Sequence, residues 1–371
     1  MTKTIVDTYN LKLRPFDAAA IVGFLIIPQF LLTGPAKITK QNRSAVWISL
    51  FLSFALMICL FLIISALMKR YEGKNIVEIS SLIIGKPLSI IYGSALTVYF
   101  CYFTGVQIRE TAEILKAYGF YLTPTYVILG LIVLAAVTMN FFGAKSIIKT
   151  VGFFYILALI GIVFVILLGS NQYNPDNLAP VLGSGVKTIV KNSLLGASMF
   201  DRVFFLLLFV PAFQSSKNLK KSGLLSLIFT GITTVLLCLC YIMMFSSDLG
   251  AEIISGFMEM GKSSYYDHFF YRFESVLLFF LIFSALMLAA IGLLAVKKCV
   301  TATFNIKSTK TLIILYCIPI ITAAIIPQNL QELTNNYLPV IRQYSVIFVA
   351  GIPILIFIIS GIKRIFKYEK F

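Results

Sequence analysis

Apolar residues in this chain come in runs of roughly 17 to 25 positions, divided by short clusters of Lys, Arg, Gly and Pro. Runs of that length cross the hydrocarbon core of a bilayer as helix, the conformation that pairs every backbone amide within its own segment. The pattern predicts helices at 16–36, 45–68, 88–107, 125–142 and 147–169, followed by 193–213, 223–245, 273–296, 311–326 and 344–362. A shorter stretch, 249–261, carries Leu249, Ile253, Phe257 and Met260 at helical spacing and is expected as an interfacial or loop helix. The fold class is therefore all-α: a polytopic membrane protein of about ten transmembrane helices in one transmembrane domain.

Composition agrees. With 59% hydrophobic and only 12% charged residues, a 371-residue chain has too little polar surface to coat a water-soluble globule. The net charge of +16 would suit nucleic acid, but the basic residues flank the apolar runs, where they fix topology against anionic lipid. The bilayer is the expected partner and nucleic acid is not. Loops on one side carry Lys69, Arg70, Lys74, Lys145, Lys149, Lys217, Lys220 and Lys221 and are the more basic set, which places both termini in the cytoplasm. Lys3, Lys12 and Arg14 precede the first run without a small-residue cleavage site, as in a retained first helix.

The 6 cysteines lie in or beside apolar runs, and His268 is the only histidine. That supply supports no disulfide framework, metal site or Ser-His triad, so neither an enzyme nor a cofactor is expected.

The first run is interrupted by Pro28, followed by Gln29, and reads as ending at Gly34-Pro35. Proline removes an amide donor and frees carbonyls at membrane depth, where they can hold a ligand; an ordinary kink is the other reading. The sixth run opens with Ser193, Gly196, Ala197 and Ser198, then Asp201-Arg202 ahead of 203–210. Charges at that depth are expensive. Neighbours on a helix diverge by about 100°, so the two are not expected simply to clasp each other, and one should reach another helix or a wet cavity. Alternatively, the helix starts later and both lie at the outer interface.

Breaks in the first and sixth helices would occupy equivalent places in two halves, 1–169 and 170–371. An odd number of spans per half inverts the second, giving a LeuT-like five-plus-five inverted repeat with ligand bound between discontinuous helices. At the end of the third run, Glu110 and Glu113 share a face, as in a solvated helix end or an outer gate or subunit contact. Tyr99 and Tyr102, one turn apart, line a pocket or pack. Arg272 and Glu274 open the eighth run, where interfacial anchoring is the default reading and a gate or subunit contact the functional one.

Arg272-Phe273-Glu274-Ser275, Asn177 to Gly185 before the sixth run, and Leu122-Thr123-Pro124 before the fourth carry a resemblance, which runs nearly end to end. The chain resembles the B subunits of bacterial spore-germinant receptors, a branch of the amino acid-polyamine-organocation transporter superfamily. The resemblance implies a nutrient sensor in the inner membrane of the endospore, working with A and C subunits. It would bind a small germinant, such as an amino acid, near Pro28, Gln29, Phe30, Gly196, Ser198 and Asp201. A secondary amino acid transporter of the same fold is the alternative. The chain departs from the family pattern at Pro28-Gln29-Phe30, where relatives carry a glycine-rich break, and at Asp201-Arg202, where many carry Gly-Glu.

Overall fold

The computed structural model describes residues 12–263, 273–306 and 310–368, and no strand occurs among them. Six helical stretches are long and apolar enough to cross a membrane: Gly34–Arg70, Lys86–Tyr118, Ala144–Gln172, Ser216–Gly250, Ser275–Phe304 and Leu330–Lys363. Shorter apolar helices add Pro15–Ile26, Thr125–Phe141 and Leu312–Ile325.

The first run begins with α1 (Pro15–Ile26), where Pro15 needs no amide partner and Asp17 accepts from the Arg14 amide at 2.9 Å. The helix then breaks. One turn, α2 (Pro28–Leu31), ends at Leu32, whose φ of −94° and ψ of −129° are not helical, and α3 (Gly34–Asn42) follows. Gly34-Pro35, expected as the end of the helix, is instead the start of its second half. Proline suits a first helical turn for the same reason that it disrupts an interior one.

Next come α4 (Val46–Arg70), the short α5 (Ile76–Ile83) and α6 (Lys86–Tyr118). At 33 residues, α6 spans about 50 Å and continues well past the predicted end at 107. The charges that suggested an exit from the membrane lie on a helix that goes on among other helices. Then follow α7 (Thr125–Phe141), α8 (Ala144–Leu168) and α9 (Val186–Gly196). The predicted sixth helix is α-helical only to Gly196; Ala197–Leu208 winds as a 3-10 helix. This tighter coil is poorly bonded over such a length and commonly marks a hinge.

Beyond it, α10 (Ser216–Gly250) is kinked at Ser246, where φ is +56°, immediately after the predicted end at 245. The outer helix expected at 249–261 is displaced to α11 (Gly256–Ser263). The last helices are α12 (Phe273–Phe304), α13 (Lys310–Ile325), α14 (Leu338–Val346) and α15 (Ile352–Tyr368), with π-helical turns at Leu333–Tyr337 and Ile347–Gly351.

Long helices pack side by side around the broken ones. α12 lies along α6, α10 along α4 and α1, and α13 along α6 and α7, while the 3-10 segment is enclosed by α1, α4 and α14. Phe200, Phe205, Phe209 and Phe213 are fully buried there, whereas Val98, Leu131, Phe153, Ile160 and Leu167 stand exposed on outer faces, as lipid contact requires.

Candidate functional site

The two interruptions meet. Gln29, beside the break of the first helix, donates from Nε2 to the Met199 carbonyl in the 3-10 segment at 2.9 Å. The Phe30 and Phe200 rings lie 6.1 Å apart, and Pro28, Gln29 and Phe30 are all buried. The break is tight: a Cβ on Gly34 would come within 2.2 Å of the Gln29 carbonyl oxygen, so only glycine lets α3 start there.

Glu110 closes the same break from α6. Its Oε1 accepts from the Thr33 hydroxyl at 2.5 Å and the Thr33 amide at 3.2 Å, while Oε2 accepts from Gln107 Nε2 at 2.8 Å. A carboxylate at the start of α3 is favoured by the orphan amides and positive dipole end of that half-helix. The solvated-end reading is therefore corrected: Glu110 is 1% exposed. Ser255, just before α11, donates to the Leu31 carbonyl at 2.9 Å and ties the outer loop to the break. One carbonyl freed by the interruption is thus already bonded.

Asp201 and Arg202 are 0% and 3% exposed, so the interfacial alternative does not hold. Nor do the two side chains stay apart, because Arg202 Nη1 lies 3.3 Å from Asp201 Oδ1 and also donates to the Ser198 carbonyl. The long Arg side chain folds back along the segment, which overrides the angular divergence of neighbouring positions. As expected, Asp201 also reaches another helix: Tyr99 donates to Oδ1 at 3.1 Å. The guanidinium sits 4.6 Å from the centre of the Phe103 ring, one turn from Tyr99 and stacked with it. Ser345, on α14, stands beside the Asp201 carboxylate. Arg202 Nε is buried without a hydrogen-bond partner among the described residues.

Other sequence candidates lie apart from this cluster. Tyr102 donates to the Tyr337 carbonyl at 3.0 Å and so faces the last span, not Asp201. Gly196 packs on Ser53, whose Oγ would be 2.6 Å from a Cβ, and the Ser198 hydroxyl is used locally by Leu195 at 2.7 Å. Glu113 pairs with Arg109 at 2.8 Å, and Arg109 reaches the Gln328 carbonyl at 3.0 Å. Arg272 and the Glu274 side chain lie outside the described residues. Sequence reasoning missed Thr33, Phe103, Gln107, Ser255 and Ser345. Only Gln107 carried a signal, three positions before Glu110 on one helix face.

Comparisons with known proteins agree in kind. A family model described as "Spore germination protein" matches residues 12–333. Spore germination protein KB of Bacillus subtilis (strain 168) is 23% identical over 353 residues, covering 92% of this chain and 94% of the relative. Spore germination protein A2 of the same strain is 26% identical over 364 residues, covering 95% and 97%. Among solved structures, the nucleobase-cation-symport-1 family transporter Mhp1 superposes with a TM-score of 0.62 at 13% identity, covering 93% of this chain and 78% of that one. A Na+-coupled sialic acid symporter gives 0.59 at 13% identity, with the same coverages. At that identity the likeness establishes a LeuT-like transporter fold and nothing about substrate.

Proposed function

Because the chain belongs to the spore germination protein family, we propose that it is the membrane subunit of a spore nutrient-germinant receptor, binding a small polar germinant where its first and sixth helices are interrupted. The observation that carries this reading is the contact of Gln29 with the Met199 carbonyl beside the buried Asp201–Arg202 pair. Two discontinuous segments joined next to the unpartnered Arg202 Nε offer a hydrogen bond that a small guest can complete.

In this reading the chain lies in the inner membrane of the endospore, with both termini cytoplasmic, as two inverted halves of five spans each. A and C subunits receive the signal. The ligand acts by favouring one arrangement of the breaks over another, since a guest with equal affinity for both transmits nothing. Pro28, Phe30, Tyr99 and the Asp201–Arg202 pair shape its place, and Glu110 holds the break that moves. Arg109 and Glu113 then belong to the outer clasp on the end of α13.

The symporter-like fold favours a second reading, a secondary amino acid transporter. Uptake of labelled nutrient into proteoliposomes, with and without a proton or sodium gradient, separates the two. The receptor reading expects binding without accumulation, together with loss of the response to one nutrient in spores that lack the chain. Gradient-driven accumulation, or an unaltered response in such spores, rejects it.

A further inference from the structure

Three helices, α1, α8 and α10, begin at the same end of the bundle, the end that the proposed topology places in the cytoplasm. α1 packs on both of the others, and its start is fixed from two sides. The Leu13 amide donates to the Ala212 carbonyl at 2.9 Å, in the turn that leads into α10, and a Cβ on Gly152 of α8 would lie 3.5 Å from the Phe16 ring. Farther along, α8 and α10 meet at Tyr155 and Phe229, whose rings are 6.3 Å apart. Phe16 is 42% exposed although α1 is buried almost throughout beyond it, so the start of α1 is an open apolar surface flanked by two helix ends.

Both flanking helices repeat one pattern. On α8, Lys145 and Lys149 are followed at helical spacing by Phe153 and Ile156; on α10, Lys217 and Lys221 are followed by Leu225 and Ile228. All of these are exposed, so each helix presents positive charge and then an apolar row on the same face. None of the four lysines has an ion pair among the described residues. The carboxylates held at the starts of α1 and α10 are already engaged: Asp17 accepts from the Arg14 amide at 2.9 Å, and Glu72 accepts from the Ser216 hydroxyl at 2.6 Å.

Positive charge at the head of an exposed apolar row is complementary to an anionic lipid, whose headgroup sits at the membrane boundary and whose chains run down from it. A soluble acidic partner would cover the lysines and leave the apolar rows bare, and a zwitterionic lipid brings an ammonium of its own to meet them. We propose that an anionic phospholipid seats against the start of α1, with its headgroup between the lysine pairs of α8 and α10 and its chains along their apolar rows, over Phe16. The lipid braces the inner half of the broken first helix, whose other end carries the interruption at Pro28.

The test follows amide hydrogen exchange over 13–20 in the full chain, in nanodiscs of phosphatidylcholine alone or of phosphatidylcholine mixed with phosphatidylglycerol. The expected result is slower exchange there, and a higher unfolding temperature, in the mixed discs. Lys149→Gln combined with Lys221→Gln should weaken retention of phosphatidylglycerol, read by native mass spectrometry, roughly tenfold or more and remove the slowing. Lys74→Gln combined with Lys86→Gln, on either side of α5, removes the same charge at the same end of the bundle and should leave both intact. Should the first double variant not fold, each of its single substitutions carries the comparison, at roughly fivefold. Equal exchange in the two kinds of disc overturns the proposal. So does slowing that survives the loss of Lys149 and Lys221, or that is lost equally with Lys74 and Lys86, which would mark an effect of surface charge at large. None of these readouts uses a nutrient, so the germinant reading stands or falls separately.

Discussion

Glu110 on α6 grips Thr33 in the break of the first helix, accepting from its hydroxyl at 2.5 Å and its amide at 3.2 Å. A side chain 77 positions away thereby caps a half-helix that begins inside the protein. Glu110→Ala should cost about 2–4 kcal/mol, because a buried charge-assisted network loses its acceptor. Thr33→Val should cost less, and a double-mutant cycle should return a coupling of about 1–3 kcal/mol in nanodisc unfolding. Additive effects would separate the two residues.

The Asp201–Arg202 pair is predicted to be cheap to replace and costly to break. Arg202→Met alone leaves a buried carboxylate and should destabilise by about 3–5 kcal/mol. Arg202→Met combined with Asp201→Asn should recover a large part of that loss. Thermal unfolding of the single and double variants checks the order, and a double variant worse than the single one contradicts it.

Arg109 ties the outer part of α6 to the end of α13, with Nη2 3.0 Å from the Gln328 carbonyl and Nη1 3.4 Å from that of Ala324. Lysine keeps the charge but not the planar fork. Arg109→Lys should therefore speed amide hydrogen exchange around 324–332 while leaving α1 and α4 unchanged.

Gly34→Ala should destabilise by about 1–3 kcal/mol, since its Cβ would stand 2.2 Å from the Gln29 carbonyl oxygen and backbone cannot yield as a flexible side chain can. Lower membrane accumulation and a lower unfolding temperature are the measurements. Gly130, where a Cβ meets nothing within 4 Å, is the control position.

The spans were legible in the sequence because lipid tolerates only self-paired helices, which leaves long apolar runs as their imprint. The break at Pro28 was legible for an equally local reason, the missing amide. The 3-10 winding of 197–208 was not, since its apolar residues read the same in either coil. Glu110 was misread because a charge that follows an apolar run looks like an exit from the membrane until a partner such as Thr33 is known. Ser345, from the last span, and Ser255, from an outer loop, join the site from far along the chain, and nothing in their own neighbourhoods announces it.

The germination response of spores carrying Asp201→Asn, at protein levels matched to wild type, tests the central claim most directly. The account predicts that the response to the cognate nutrient is lost while responses served by other receptors persist. A full response at unchanged nutrient concentration would contradict it, because the carboxylate at the junction of the two broken helices would then have no part in sensing.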